Sequence, residues 1–203
     1  MGSQRKNSFT KRQKGIIIGM ILGDAYLQET GKRNARLRVE HSLKQQDYIF
    51  WKYQELKNFA QDKPKKIIRF NPVWEKTYSY LRFQSHSSPL FGKLREIFYQ
   101  NGKKIIPKEL PKLLALPLSI AVWYLDDGSY DRKNMAASIY LPKFSLEEQN
   151  ILQATLQVNF GLHVNIHKKR AGNLALFFPK SETKKLFEII HSSGPRLLQY
   201  KFS

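Results

Sequence analysis

Gly15-Ile-Ile-Ile-Gly-Met-Ile-Leu-Gly-Asp24 is an apolar run with glycine at every fourth position, Gly15, Gly19 and Gly23, closed by a carboxylate. On a helix that spacing lays the glycines along one face as a strip without side chains. Each costs about 1 kcal/mol against alanine in a helix interior, so the strip calls for a partner whose backbone approaches closely. A second apolar run, Leu118 to Asp127, also ends in a carboxylate and lies about half a chain away. If the second run is the partner packed along Gly15, Gly19 and Gly23, the two helices bring their C-terminal ends together and set Asp24 beside Asp127. Two carboxylates in one small space repel unless a cation joins them, and an oxygen-rich site reached by water suits Mg2+ (or Mn2+). Carboxylate-held metal can stabilise both the attacking and the leaving oxygen of a phosphodiester.

Outward from each run the elements repeat in order. After the first come the alternating segment Arg36 to Ser42 and a helix with Ile49, Tyr53, Leu56 and Ala60 on one face. After the second come Met135 to Leu141 and the capping-box pattern Ser145-Leu-Glu-Glu148, opening a helix that carries Leu152 and Leu156. A β-hairpin and an amphipathic helix close each half: Lys66 to His86 then Pro89 to Tyr99, and Leu162 to Phe178, turning at Ala171-Gly172-Asn173, then Ser181 to His191. The halves are expected at 1–105 and 118–203, with a linker at 106–117. Pro107, Pro111 and Pro117 oppose a continuous helix there, and Pro117 suits a helix's first turn.

The 203 residues are 41% hydrophobic, enough for a buried core, and hold 35 basic against 16 acidic residues, a formal charge of +19. Such self-repulsion is relieved by a polyanion, so nucleic acid is the first partner to consider. The absence of cysteine excludes disulfide scaffolds, cysteine-type zinc fingers and thiol nucleophiles. Lys11, Arg12 and Lys14 before the first run imitate a signal peptide, but Asp24 follows at once without a cleavage site. The run is also far shorter than the roughly 20 residues needed to span a bilayer, so no membrane partner is expected.

Ile17-Ile-Gly-Met-Ile-Leu-Gly-Asp-Ala25 and Ile120-Ala-Val-Trp-Tyr-Leu-Asp-Asp-Gly128 both resemble the motif of the LAGLIDADG homing endonuclease family, with Asp24 and Asp127 in the place of its catalytic aspartate. Leu22 and Leu125 stand where the motif has its first aspartate, and Val122 and Asp126 replace the small residues found at Gly19 and Gly23, which implies an asymmetric interface. The resemblance implies an α/β (α+β) fold of two pseudo-symmetric αββαββα halves forming a saddle-shaped antiparallel β surface. It further implies a monomer that cuts both strands of a long asymmetric duplex DNA target with a divalent metal. Short 3′ overhangs and a mobile intron or intein context belong to the same implication. By the same resemblance, Lys104 of the Asn-Gly-Lys-Lys-Ile-Ile-Pro segment and Lys201 of the Tyr-Lys pair join the two aspartates as catalytic residues. With the chain ending at Ser203, Lys201 is expected to be poorly buttressed.

Alternation places Tyr80, Arg82, Gln84 and His86 on one hairpin face, with Leu81 and Phe83 behind; His163, Asn165, His167 and Lys169 alternate likewise with Val164 and Ile166. With Arg36, Arg38 and Glu40 these form the expected DNA-reading surface, since Arg meets guanine and Gln or Asn meets adenine through two hydrogen bonds in the major groove. Two alternatives use the same fold: an intron RNA maturase or splicing cofactor, and a non-cutting DNA-binding protein. An intracellular location is expected, with an organelle (mitochondrion or chloroplast) and a bacterial or archaeal cytoplasm both left open.

Overall fold

A computed structural model describes residues 8–169 and 172–202. Of the described residues, 8–13 join Asp24–Glu96 in one compact unit, and Lys14–Gly23 join those from Ile97 onward in the other. The first helix, α1 (Lys11–Leu22), therefore gives most of its length to the second unit.

In the first unit β1 (Tyr26–Gly31), β2 (Asn34–Ser42), β3 (Lys65–Asn71) and β4 (Lys76–Gln84) form an antiparallel sheet in the order β1-β2-β4-β3, with α2 (Gln46–Leu56) between β2 and β3 and α3 (Pro89–Phe98) following β4. β2 alternates strictly: Ala35, Leu37, Val39 and His41 are buried, and Arg36, Arg38 and Glu40 lie on the opposite face. α2 buries Tyr48, Ile49, Lys52 and Leu56. This corrects the expected Ile49, Tyr53, Leu56, Ala60 face. The helix stops at Leu56 because sheet pairing wins: Ala60 forms a bridge with Ser85, and the Gln61 amide donates to the Gln84 carbonyl at 2.8 Å. Tyr53 sits half-buried, edge-on to Phe83.

The second unit repeats the sheet: β7 (Gly128–Asp131), β8 (Ala136–Leu141), β9 (Asn165–Lys168) and β10 (Leu174–Phe178) run in the order β7-β8-β10-β9. Around it lie α5 (Pro117–Asp127), α6 (Leu146–Phe160) and α7 (Lys180–Ser193). Every residue of α5 from Leu118 to Asp126 is buried, the pattern of a helix enclosed on all sides.

The stretch leading into the expected linker is itself structured. Asn101 and Gly102, at φ 50° and 74°, make a type I′ turn joining β5 (Tyr99–Gln100) to β6 (Lys103–Lys104). Beyond it the prolines act as expected: α4 (Leu110–Leu113) is a single turn, and Pro117 opens α5. The Asn159 amide holds the segment between them, donating to the Pro111 and Leu114 carbonyls at 2.8 Å.

α6 begins and ends on local signals. Ser145 accepts from the Glu148 amide at 3.2 Å while Glu148 accepts from the Ser145 amide at 2.7 Å. At the other end Gly161 adopts φ 65°, and the Gly161 and Leu162 amides close back onto the Gln157 and Leu156 carbonyls. Ser145→Ala should lower stability by about 1 kcal/mol, a melting temperature about 2–4 °C lower by calorimetry. Of the expected β9–β10 turn, Gly172 has φ 73° and the Asn173 carbonyl accepts from Lys169 at 2.7 Å, whereas Ala171 lies outside the described residues. Among the described residues no helix is long and apolar enough to cross a membrane.

Candidate active site

The glycine strip of α1 meets α5 backbone to backbone. A Cβ at Gly19 would stand 2.4 Å from the Ser119 carbonyl oxygen and 2.8 Å from Val122 Cβ; one at Gly23 would stand 2.6 Å from Asp126 Cβ and Oδ2. Gly15 faces Leu116 and Ser119 in the same way. Gly19 and Val122 hold the same place in their runs, as do Gly23 and Asp126, so each glycine packs on its own counterpart, as a local two-fold between the helices requires. The asymmetry is steric: the bulk of Val122 and Asp126 fills the room that Gly19 and Gly23 leave. Hence the residues immediately before Asp24 and Asp127 are in contact.

Lysines secure both helix ends. Lys104 Nζ donates to the Gly23 carbonyl at 2.8 Å. Lys201 Nζ donates to the Asp126 and Gly128 carbonyls, at 2.8 and 3.0 Å, so it binds the carbonyls of the residues on either side of Asp127. An ammonium at the end of a helix also meets the negative pole of its dipole. Lys201 is only 8% exposed, which corrects the expectation of a poorly buttressed tail. Its own carbonyl accepts from the Tyr124 hydroxyl at 2.8 Å, and Phe202 packs against Tyr124 and Phe187. Burial pushes the Tyr124 phenol far up, and neighbouring Tyr130 adds to the shift, so Tyr124 remains a donor at any working pH.

An open cleft of about 600 Å3 lies at this end of α5, lined among others by Gly23, Lys104, Asp127, Tyr140, Lys169 and Asn173. Lys104 and Asp127 thus face a shared space wide enough for a phosphate and water. In the first unit, Asp24 follows α1 with its carboxylate 41% exposed and Oδ2 3.6 Å from His41 Nδ1. Water-accessible carboxylate oxygens suit a hard divalent cation, which keeps several waters and needs few protein ligands.

The sheet faces carry most of the residues expected to read DNA. Register sets Arg36 beside Gln28, Arg38 beside Gln84, and Glu40 beside Arg82, which neighbours Lys65. Glu40 accepts from Arg82 Nε at 2.7 Å and from Arg69 Nη2 at 2.8 Å, so one carboxylate clamps two guanidiniums. Tyr80 lies under Arg69, 5.2 Å from ring centre to guanidinium carbon. In the second unit Asn165 and His167 are exposed on β9, His167 stacked on Phe177 at 4.4 Å.

Three residues depart from the expected strands. His86 lies beyond the end of β4, where its amide donates to the Phe59 carbonyl. His163 precedes β9, with its amide bonded to Glu182 of α7 and its ring 3.9 Å from that carboxylate. Burial pushes the Glu182 carboxyl up, but hydrogen bonds from Lys185 and the His163 amide outweigh it and hold the carboxyl low. Lys169 follows β9 at the cleft, 5.9 Å over the Tyr140 ring. The structure adds Gln28, Lys65, Arg69 and Tyr140 to these faces. Only Lys65 and Arg69 had a sequence signal, the alternation Lys65, Ile67, Arg69.

Known proteins match along nearly the whole chain. It is 27% identical over 199 residues to the "Probable intron-encoded endonuclease 1" of Wickerhamomyces canadensis, covering 96% of this chain and 85% of that protein. It is 28% identical over 212 residues to the DNA endonuclease I-ChuI of Chlamydomonas applanata, covering 97% and 96%. Other curated relatives are longer, and the chain spans 46% of the RecA protein of Mycolicibacterium chitae at 26% identity, with 94% of this chain covered. The solved structure of the homing endonuclease I-WcaI bound to its DNA recognition sequence superposes with a TM-score of 0.88 at 24% identity, covering 98% of this chain and 88% of that one, a likeness of fold. The family model for the LAGLIDADG DNA endonuclease family matches residues 14–186, and the chain belongs to that family.

Proposed function

We propose that the chain is a site-specific homing endonuclease that hydrolyses both strands of a long duplex DNA target, with Asp24 and Asp127 as its metal-holding carboxylates and Mg2+ or Mn2+ as the metal. The observation that carries the reading is the contact of Gly23 with Asp126, which joins the two motif helices immediately before those aspartates. When bound, the metal supplies charge stabilisation at the attacking and leaving oxygens. Lys104, on the cleft wall with Asp127, offers its ammonium to the charge developing on the phosphate. Lys201, buried against the peptides flanking Asp127, positions that carboxylate. The exposed faces of the two sheets contact the major groove, and the charge of +19 supplies sequence-independent attraction to phosphate. An enzyme acting on genomic DNA works inside the cell, and an intron or intein context accords with the relatives above.

In Glu40→Ala, Arg69 and Arg82 lose the carboxylate that orients both. Affinity for random duplex should rise, with a salt dependence steeper by about one phosphate's worth, while discrimination for the target falls about tenfold. Titrations of both duplexes across salt concentrations check this.

The function is tested by incubating the protein with a randomised duplex-site plasmid library, with Mg2+ or with EDTA, and sequencing the linear products. Metal-dependent breaks at one long site are expected. Binding to intron RNA in preference to duplex DNA, without breaks, would favour a maturase instead.

A further inference from the structure

Lys52 is a fully buried lysine that the chemistry above leaves without a task. It projects from α2 beneath β2, where its Nζ lies 2.8 Å from His41 Nε2 and 4.3 Å from the centre of the Tyr48 ring. An ammonium has protons to give and no lone pair to accept with, so His41 Nε2 must be the acceptor. On the other side of the same ring Nδ1 stands 3.2 Å from Gln45 Oε1, an acceptor, which calls for a proton on Nδ1. Two neighbours on opposite sides of the imidazole thus demand the same neutral tautomer, bare at Nε2 and protonated at Nδ1. The Tyr48 ring face makes the buried ammonium tolerable, and His41 is itself only 3% exposed, so water scarcely competes for either nitrogen.

His41 Nδ1 is also the atom 3.6 Å from Asp24 Oδ2. We propose that Lys52, acting through His41, is a positioning residue for Asp24: it locks the imidazole so that an N–H dipole, never a lone pair, points at the carboxylate. At 3.6 Å this is an electrostatic restraint rather than a formed hydrogen bond, and it limits the rotation of the carboxylate. A second consequence concerns the metal. His41 thereby acts on the orientation of a carboxylate that holds the cation, as outer partners do at many metal sites. This inference rests on Asp24 serving as a metal-holding carboxylate.

The tautomer is read without any cleavage assay. In 15N-labelled protein free of metal and DNA, long-range proton–nitrogen correlations of the imidazoles distinguish the two ring nitrogens, and the His41 signals are identified by their loss in His41→Asn. The expected result is a protonated Nδ1 and a bare Nε2; the opposite tautomer in the native protein overturns the proposal, whether or not the protein cuts DNA. The effect on Asp24 is read in Lys52→Met, which keeps the length of the side chain and removes its donor. At saturating DNA the single-turnover cleavage rate should fall about tenfold with duplex affinity unchanged, and combining Lys52→Met with His41→Asn, whose amide offers an N–H near Nδ1 without help from Lys52, should recover most of it. Full activity in a folded Lys52→Met protein, or no recovery in the double variant, overturns the positioning role. Should Lys52→Met fail to fold, His41→Asn is compared with His41→Leu in the presence of Lys52: the asparagine variant should cut about tenfold faster, and equal rates overturn the role. A native protein that cuts no DNA under any of these conditions would instead remove the endonuclease reading, leaving the tautomer result standing.

Discussion

Replacing Asp127 with asparagine should abolish cleavage while leaving DNA binding intact. The substitution keeps the size of the side chain and removes its charge, and Asp127 lines the cleft at the end of α5 rather than the packed interior of that helix. The helix contacts that form the fold involve Gly19, Gly23, Ser119, Val122 and Asp126, all untouched by the change. Loss of one metal-holding carboxylate withdraws transition-state stabilisation of about 4 kcal/mol, or about a thousandfold in single-turnover rate. Binding depends instead on basic groups meeting phosphates, so affinity should hold or rise slightly as one negative charge leaves. Cleavage kinetics and equilibrium binding on the same duplex check this, and full cleavage by Asp127→Asn would remove the assigned role.

A valine at Gly19 should cost about 3 kcal/mol or more, and so lower the melting temperature by about 6–12 °C. A side chain there meets the Ser119 carbonyl oxygen at 2.4 Å, and a backbone atom cannot turn aside as a flexible side-chain end would. Helix propensity alone argues the other way, since almost any residue is a better helix former than glycine by up to about 1 kcal/mol. The sign of the change therefore reports the close approach of the helices. Gly31→Val is the control: no atom lies within 4 Å of a Cβ at Gly31, which sits at the end of edge strand β1. Thermal unfolding of both variants separates the cost of the interface from the effect of adding a branched side chain.

The site was legible where chemistry and periodicity coincided. Gly15, Gly19 and Gly23 announced a partner helix because no isolated helix gains from such a strip, and the second carboxylate-ended run supplied one. The capping box at Ser145 and Glu148 and the proline at Pro117 were readable because a cap or a missing amide acts within a few residues. Other features depended on distant parts of the chain. β1 buries little besides Leu27 and, as an edge strand, shows no alternation to read. The hairpin that carries Lys104 had its signal in Asn101-Gly102, obscured by the prolines that follow. α2 ended earlier than its apolar pattern because Ala60 was drawn to Ser85, a residue far along the chain. Lys52 carried no signal in the sequence, and only the pairing of α2 with β2 reveals that it lies buried under His41. Lys201 looked like a loose tail, and its place was set by the peptides around Asp127 and the hydroxyl of Tyr124.

The central claim, two-strand hydrolysis by carboxylate-held metal, is met most directly by mapping both ends of the product on the site recovered from the library, under single-turnover conditions with Mg2+ and with EDTA. One staggered cut through both strands with short 3′ overhangs is expected, absent in EDTA and absent when either Asp24 or Asp127 is replaced by asparagine. Tight binding to that duplex with no cut in Mg2+ or Mn2+, or breakage that persists in EDTA, would contradict it.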